Sequence, residues 1–243
     1  MSDSGLDVES LGESAYRRLR ADIISCRLAP GERLTERALA AATGFGVSPI
    51  RDALKRLDHE GLVRTLPRKG YQVRPLTIKT VDDLFDFWSV LGPEVARRGV
   101  SRASDAQIGY IVGGQEEAVR LMREQGYTPE VSRRMVAIVD EMFTVLAEAT
   151  GNDYMIGAHA RVSGELERVW TLVTDSGLLD VSAMPVPEGE RWKSDFLRRD
   201  TEGCAELARS FIDQSRRQVL RTLVRWPSVI ATEVVTVRGA IAR

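Results

Sequence analysis

The sequence predicts a mainly α-helical protein in which an N-terminal winged helix-turn-helix with a small β-hairpin wing precedes a C-terminal all-helical bundle. Three observations carry that expectation. Residues 11 to 76 read as three short helices followed by two β-like runs, and from Thr80 to about Trp226 helix follows helix with little strand-like alternation. Charge is also split by position. Leu11 to Leu76 carries 13 Lys/Arg against 7 Asp/Glu, or +6, within a chain of net charge −1, so the remainder sums to −7. At 243 residues, 43% hydrophobic and 28% charged, the chain suits one small and one medium globular unit and not a fibrous or low-complexity protein.

The first helix falls between Ser14 and Arg27, where Tyr16, Leu19, Ile23 and Ile24 recur at helical spacing and Arg17, Arg18, Arg20 and Asp22 fill the opposite face. Ala29-Pro30-Gly31 ends it, because proline lacks the N–H that would continue the ladder. Thr35-Glu36 opens a second helix, which turns Leu39 and Ala40 inward and stops at Gly44. A third is expected to start with Ser48 as N-cap and Pro49 at its first helical position, to bury Ile50, Ala53, Leu54 and Leu57, and to end at Gly61. Residues 62 to 66 and 71 to 74 then pair around a basic tip, Pro67-Arg68-Lys69-Gly70.

A compact basic segment joined to a larger acidic one is the charge pattern of a phosphate-binding module tethered to a different kind of domain. The start of the third helix, with Ser48, Arg51 and Lys55, suits a major groove roughly 12 Å wide. Arg68 and Lys69 at the wing tip suit an adjacent groove, with Gly70 allowing close backbone approach. The other reading of this layout is a winged helix used only for protein contact.

The runs Leu28-Ala29-Pro30-Gly31-Glu32-Arg33-Leu34, Glu36-Arg37-Ala38-Leu39-Ala40, Ser48-Pro49-Ile50-Arg51-Asp52-Ala53-Leu54-Lys55-Arg56-Leu57 and Glu60-Gly61-Leu62-Val63, with Gly70, agree with one family in order and spacing. Over roughly residues 11 to 76 the chain resembles the DNA-binding domain of GntR-family bacterial transcription regulators. The resemblance implies operator contacts at Arg37, Arg51 and Gly70. It also implies Ser/Thr-Arg just before the recognition helix. Here Gly46 and Val47 stand there, so an operator-reading arginine is missing, and either the preferred DNA sequence differs or affinity is lower.

In the C-terminal part, breaks at Arg102-Ala103-Ser104, Gly126-Tyr127-Thr128-Pro129, Thr150-Gly151-Asn152 and Pro185-Val186-Pro187 separate helices expected near 79–101, 104–125, 129–149, 152–176, 188–199 and 201–225. Residues 227 to 243, a tail with the β-leaning run Val229 to Val237, take no assigned structure. An all-helical domain over 79 to 226 behind such a winged helix resembles the FadR/FCD subgroup, whose bundle binds a small effector and dimerises. Many of its members hold a divalent metal through one Asp and three His. This chain has only His59 and His159, with Asp140 and Thr144, or Val139 and Phe143, at the Asp-x-x-x-His position, and Gly189 and Phe211 near those of the later histidines. The expectation is therefore no cofactor and a lost metal site.

Trp88 stands where many members of that subgroup have an arginine, and Trp170 and Trp192 lie on other helices, so a more aromatic cavity or an ordinary aromatic core both fit. Arg133, Arg134, Arg161 and Asn152 suit either an anion or a solvated face, Asp140 a pocket acid, a helix-surface salt bridge or a relic, and His159 either a ligand or a satisfied core histidine. The candidate effector residues are thus Trp88, Arg134, Asp140, Thr144, Asn152 and His159, for an organic acid or an apolar, aromatic or acyl compound.

Enzymatic readings lack residues. GxSxG, HExxH and P-loop motifs are absent, the Gly113-Gly114 pair has helix on both sides, and Cys26 and Cys204 form no CxxC. Met1 to Ser10 is acidic and polar and no run of eighteen apolar residues occurs, which argues against a signal peptide or membrane span and for a cytoplasmic protein. The expected function is a regulator, by default a repressor, that binds a palindromic double-stranded DNA operator as a homodimer under control of a small molecule. The alternative is an effector-independent DNA-binding protein whose helical domain only dimerises.

Overall fold

The computed structural model describes residues 10–178 and 191–225, in a chain that divides into two compact units, Met1–Leu76 and Thr77–Arg243. The expectations for Met1 to Asp3 and on to residue 9, for the break at Pro185 to Pro187, for the start of a helix at 188 and for the tail from 227 lie outside the described residues.

The N-terminal unit runs α1 (Leu11–Ile24), β1 (Arg33–Leu34), α2 (Glu36–Thr43), α3 (Val47–His59), β2 (Val63–Leu66) and β3 (Gly70–Val73). Ser10 caps α1, its Oγ accepting from the Glu13 N–H at 3.2 Å, and Thr35 Oγ1 does the same for Ala38 on α2. Gly44 closes α2 in the left-handed region. The start of α3 differs from the sequence reading. The helix begins at Val47 with Gly46 as N-cap and no side-chain cap bond, so Ser48 lies within the first turn and caps nothing. Pro49 permits this because the first-turn N–H groups have no partner inside the helix, and a proline anywhere in that turn breaks no bond.

On its inner face α3 buries Ile50, Leu54 and Leu57 completely, in one core with Leu19 and Ile23 of α1 and Val63 and Val73 of the sheet. Each aliphatic side chain so buried contributes about 1.5–3 kcal/mol. That packing fixes which residues of α3 face outward. The sheet has three strands, in the order β1-β3-β2, not the two of the sequence reading. Arg33 pairs with Gln72 and Leu34 with Tyr71, while Val63 pairs with Val73 and Leu66 with Gly70. A two-residue strand is too short to show alternation, which is why β1 escapes a periodicity argument.

The C-terminal unit contains α4 (Ile78–Arg102), α5 (Asp105–Gln125), α6 (Pro129–Ala149), α7 (Asp153–Asp175), α8 (Arg191–Leu197) and α9 (Thr201–Val224). Its helix starts are signalled chemically: capping boxes at Thr77/Thr80 and Ser104/Gln107, and side-chain caps at Thr128, Asn152 and Asp200. α4 packs on α9 and α6, and α6 on α5 and α7. At Gly99 a Cβ would collide with the backbone of Leu146, so α4 and α6 approach closely because this residue has no side chain. Among the described residues no helix is long and apolar enough to cross a membrane.

Candidate nucleic-acid interface and ligand cavity

The outer face of α3 exposes Val47, Ser48, Arg51, Asp52 and Lys55. Arg51 is engaged: its Nε donates to Glu36 Oε1 at 2.9 Å and Oε2 at 3.0 Å, and its Nη2 to Oε2 at 2.7 Å. The hydrogen bonds from Arg51 hold the Glu36 carboxyl below the usual carboxylate range. The Nη1 hydrogens and the second Nη2 hydrogen of Arg51 are not used by Glu36, so Arg51 can reach a base end-on while the carboxylate holds its other edge, or side-on once Glu36 is displaced. Sequence reasoning missed Glu36, because its partner lies fifteen residues away on another helix and no local pattern links the two.

The other cations of this unit sort by partner. Arg18 and Arg27 both pair with Asp22, Arg56 pairs with Glu13 and stacks 3.6 Å above the Tyr16 ring, and Lys55 Nζ lies 3.7 Å from Asp52. Arg33, Arg37, Arg68 and Lys69 are exposed and have no ion pair among the described residues. These four lie on β1, on α2 and at the wing tip. The excess charge counted along the sequence is thus concentrated by the fold, since several of the thirteen cations are neutralised locally.

At the wing tip the Lys69 N–H donates to the Leu66 carbonyl at 2.9 Å, with Arg68 held at φ +62°. Gly70 lies at φ +85°, and a Cβ there would sit 2.5 Å from the Leu34 carbonyl oxygen. Pairing of β1 with β3 therefore demands the glycine within the domain itself. The sequence reading explained Gly70 by approach to DNA, and the fold supplies a sufficient reason without it.

In the C-terminal unit, α4, α6, α7 and α9 enclose a cavity of about 310 Å³. Trp88 forms part of its wall, with Phe143 at a centroid distance of 5.2 Å and Phe211 at 6.3 Å, both edge-on. The Phe143 ring stacks on His159 at 6.3 Å, and Trp170 completes the aromatic lining. His159 is buried, and its Nε2 lies 3.3 Å from Thr144 Oγ1 while Nδ1 has no hydrogen-bond partner among the described residues. Burial pushes the imidazole below the ordinary histidine value, and the Asp140 charge acts in the opposite direction. Trp88 and Asp140 line the same cavity, and Trp88 is both core and wall.

Three residues considered for the cavity lie elsewhere. Arg134 points into a surface network with Glu117 at 2.9 Å and Glu141 at 3.1 Å and does not line the cavity. Asn152 caps α7 by accepting from the Tyr154 and Met155 N–H groups, and Trp192 lies buried on α8 away from the cavity wall. Phe143, Leu166, Phe211 and Thr174 join the site, and only the packing of α6, α7 and α9 brings them together. Among the described residues no three His, Cys, Asp or Glu side chains come together as a metal-binding group. Asp140 and His159 alone do not fit an Asp/His₃ site.

The family described as bacterial regulatory proteins, gntR family, matches residues 11–73. The chain is 32% identical over 120 residues to the Nta operon transcriptional regulator of Aminobacter aminovorans, covering 49% of this chain and 54% of that protein. It is 28% identical over 99 residues to the HTH-type transcriptional repressor RspR of Escherichia coli, covering 41% and 43%. The chain thus spans about half the length, or less, of these curated relatives. Among solved structures it is similar to E. coli McbR/YncC, with a TM-score of 0.68 at 13% identity over 88% of this chain and 99% of that one. A GntR protein of Rhodococcus sp. RHA1 is similar with a TM-score of 0.64 at 17% identity, over 87% and 98%. These last two likenesses concern the fold alone. Residues 11–73 are a gntR-family helix-turn-helix domain.

Proposed function

We propose that this chain regulates transcription by binding a palindromic operator as a homodimer, that it represses, and that a small molecule in the helical cavity controls it. The observation that carries the DNA-binding part is the unpartnered set Arg37, Arg68 and Lys69, standing on either side of the exposed face of α3 in sequence and assigned to the head by its fold. Ser48, Arg51 and Lys55 lie on the same exposed helix face, with Glu36 holding one edge of the Arg51 guanidinium. A dimer presents two recognition helices to half-sites one helical turn, roughly 34 Å, apart, and a ligand that prefers one state of the bundle shifts the population of dimers with that spacing. The cavity favours ligand control over a bundle that only dimerises, because it leaves a buried imidazole nitrogen unpaired beside an aromatic wall. The resemblance to the FCD subgroup supports the same division of labour, here without a metal.

Selection of bound fragments from a random DNA pool, followed by a salt series on the winner, tests this function. A short inverted repeat whose affinity falls steeply with salt is the expected result, because each phosphate neutralised releases counterions. Sequence-independent binding or a flat salt response would defeat it.

A further inference from the structure

We infer that the cavity selects a small amphiphilic cation, an aromatic or alkyl amine with one ammonium group, over an anion of the same size. This rests on the reading of the cavity as an effector site and adds the charge of the ligand. Four acidic or basic side chains line the space: Arg133, Asp140, Glu141 and Glu167. Arg133 is already held by Asp175 at 2.8 Å and Glu130 at 3.0 Å. Glu141 accepts from Tyr110 at 2.8 Å and from Arg134, and Glu167 has a partner of its own. Asp140 differs. It is half-buried and has no hydrogen bond or ion pair among the described residues.

His159, only 3% exposed, lines the same cavity, and its Nδ1 has no hydrogen-bond partner among the described residues. In the tautomer that donates Nε2–H to Thr144, Nδ1 presents a lone pair, and burial keeps the ring neutral. In that tautomer the carboxylate and the lone pair are both acceptors, and in the other the Asp140 carboxylate is still without a donor, so this part of the wall asks for a donor, and a charged one satisfies it best. The remaining wall is Trp88, Phe143, Phe211 and Trp170, whose ring faces attract a cation and whose bulk takes up an apolar body. An anion would meet the uncompensated Asp140 charge with its nearest guanidinium already bound elsewhere. A ligand of about a dozen heavy atoms suits a cavity of 310 Å³, at the small end of ligand sites.

Three indole compounds that differ chiefly in charge provide the test on the full-length protein: tryptamine as the cation, tryptophol as the neutral analogue and indole-3-acetate as the anion. Calorimetric titration is expected to rank them in that order, with tryptamine about ten-fold or more tighter than tryptophol. Asp140→Asn should bring tryptamine to within about three-fold of tryptophol while leaving tryptophol itself unchanged, a response that general unfolding would not give. Binding of tryptophol or the acetate with no advantage for the amine overturns the charge preference and leaves the cavity a ligand site. An amine preference that survives Asp140→Asn overturns the assignment to Asp140. Failure of all three to bind, with a melting temperature that none of them raises, overturns both the preference and the effector reading.

Discussion

In the N-terminal unit the groups assigned to a ligand stand outside the core, on Arg37, Lys55 and the Arg68-Lys69 tip, whereas in the C-terminal unit His159 and Asp140 sit against an aromatic wall enclosed by four helices. On the function proposed above, the N-terminal unit would meet a polyanion that remains largely hydrated, so exposed cations on short elements would be enough. A ligand in the cavity would leave water, so every polar group on the wall would have to be matched or remain costly. Surface charges can therefore be exchanged with small effects on folding and large ones on affinity, and cavity residues cannot. Two cations on the outer face of α3 are also matched internally, Arg51 by Glu36 and Lys55 by Asp52.

The largest expected effect separates the two regions by stability. Gly99→Ala places a methyl group against the Leu146 backbone between α4 and α6, two walls of the cavity. It should destabilise the bundle by about 3 kcal/mol, the upper range for overpacking, and remove ligand binding. Differential scanning calorimetry should show the bundle transition lowered with that of the head unmoved. A common shift of both transitions would mean that the units do not unfold separately. Next in size, Arg51→Ala should weaken operator binding about 10- to 100-fold, as loss of a base-reading arginine does, with unchanged circular dichroism. Equal affinity of mutant and wild type in an anisotropy titration would remove α3 from the interface. Glu36→Gln should act in the opposite direction, tightening binding by about 3- to 10-fold, because a neutral amide holds the guanidinium less strongly than a carboxylate does. Weaker binding by this variant would show instead that Glu36 orients Arg51 for DNA.

The two regions also differ in how far the sequence discloses them. Caps and turn residues act over three or four positions, so Thr35, Gly44, Thr128 and Asn152 mark helix ends that the structure places within a residue of the expected ones. The hydrophobic face of α3 follows from its periodicity, because Ile50, Leu54 and Leu57 recur on one side. Ser48 misleads because Ser-Pro is a frequent helix opening, and β1 is hidden because two residues have no period. The cavity is harder to read for a geometric reason. Trp88, Asp140, His159 and Phe211 belong to four helices, and only the packing angles bring them together. Whether an arginine faces that space or a surface network is likewise a matter of helix rotation, which separates Arg133 from Arg134.

Two smaller effects sharpen the contrast. Val47 is 39% exposed in the first turn of α3, at a position where the family resemblance calls for an arginine. Val47→Arg should change base preference or tighten binding by up to about ten-fold, the value of one good base contact. Selection from a random DNA pool that returns the same site at the same affinity would show that this turn does not face bases. The smallest effect belongs to His159. Its ring is neutral when buried and its folded value lies below the ordinary one near 6.5, so on acidification the unfolded chain takes up the proton first. The stability that the neutral ring contributes is thus present above about pH 6.5 and is lost as pH falls below it. The other charged side chains that line the same cavity are Asp140, Glu141, Glu167 and Arg133. Glutamine at this position keeps a polar group near Thr144 but cannot titrate. Melting curves of His159→Gln between about pH 7.5 and 5.5 should therefore fall less steeply with pH than those of the wild type, and parallel curves would mean that the imidazole is protonated in the folded bundle or reaches water there.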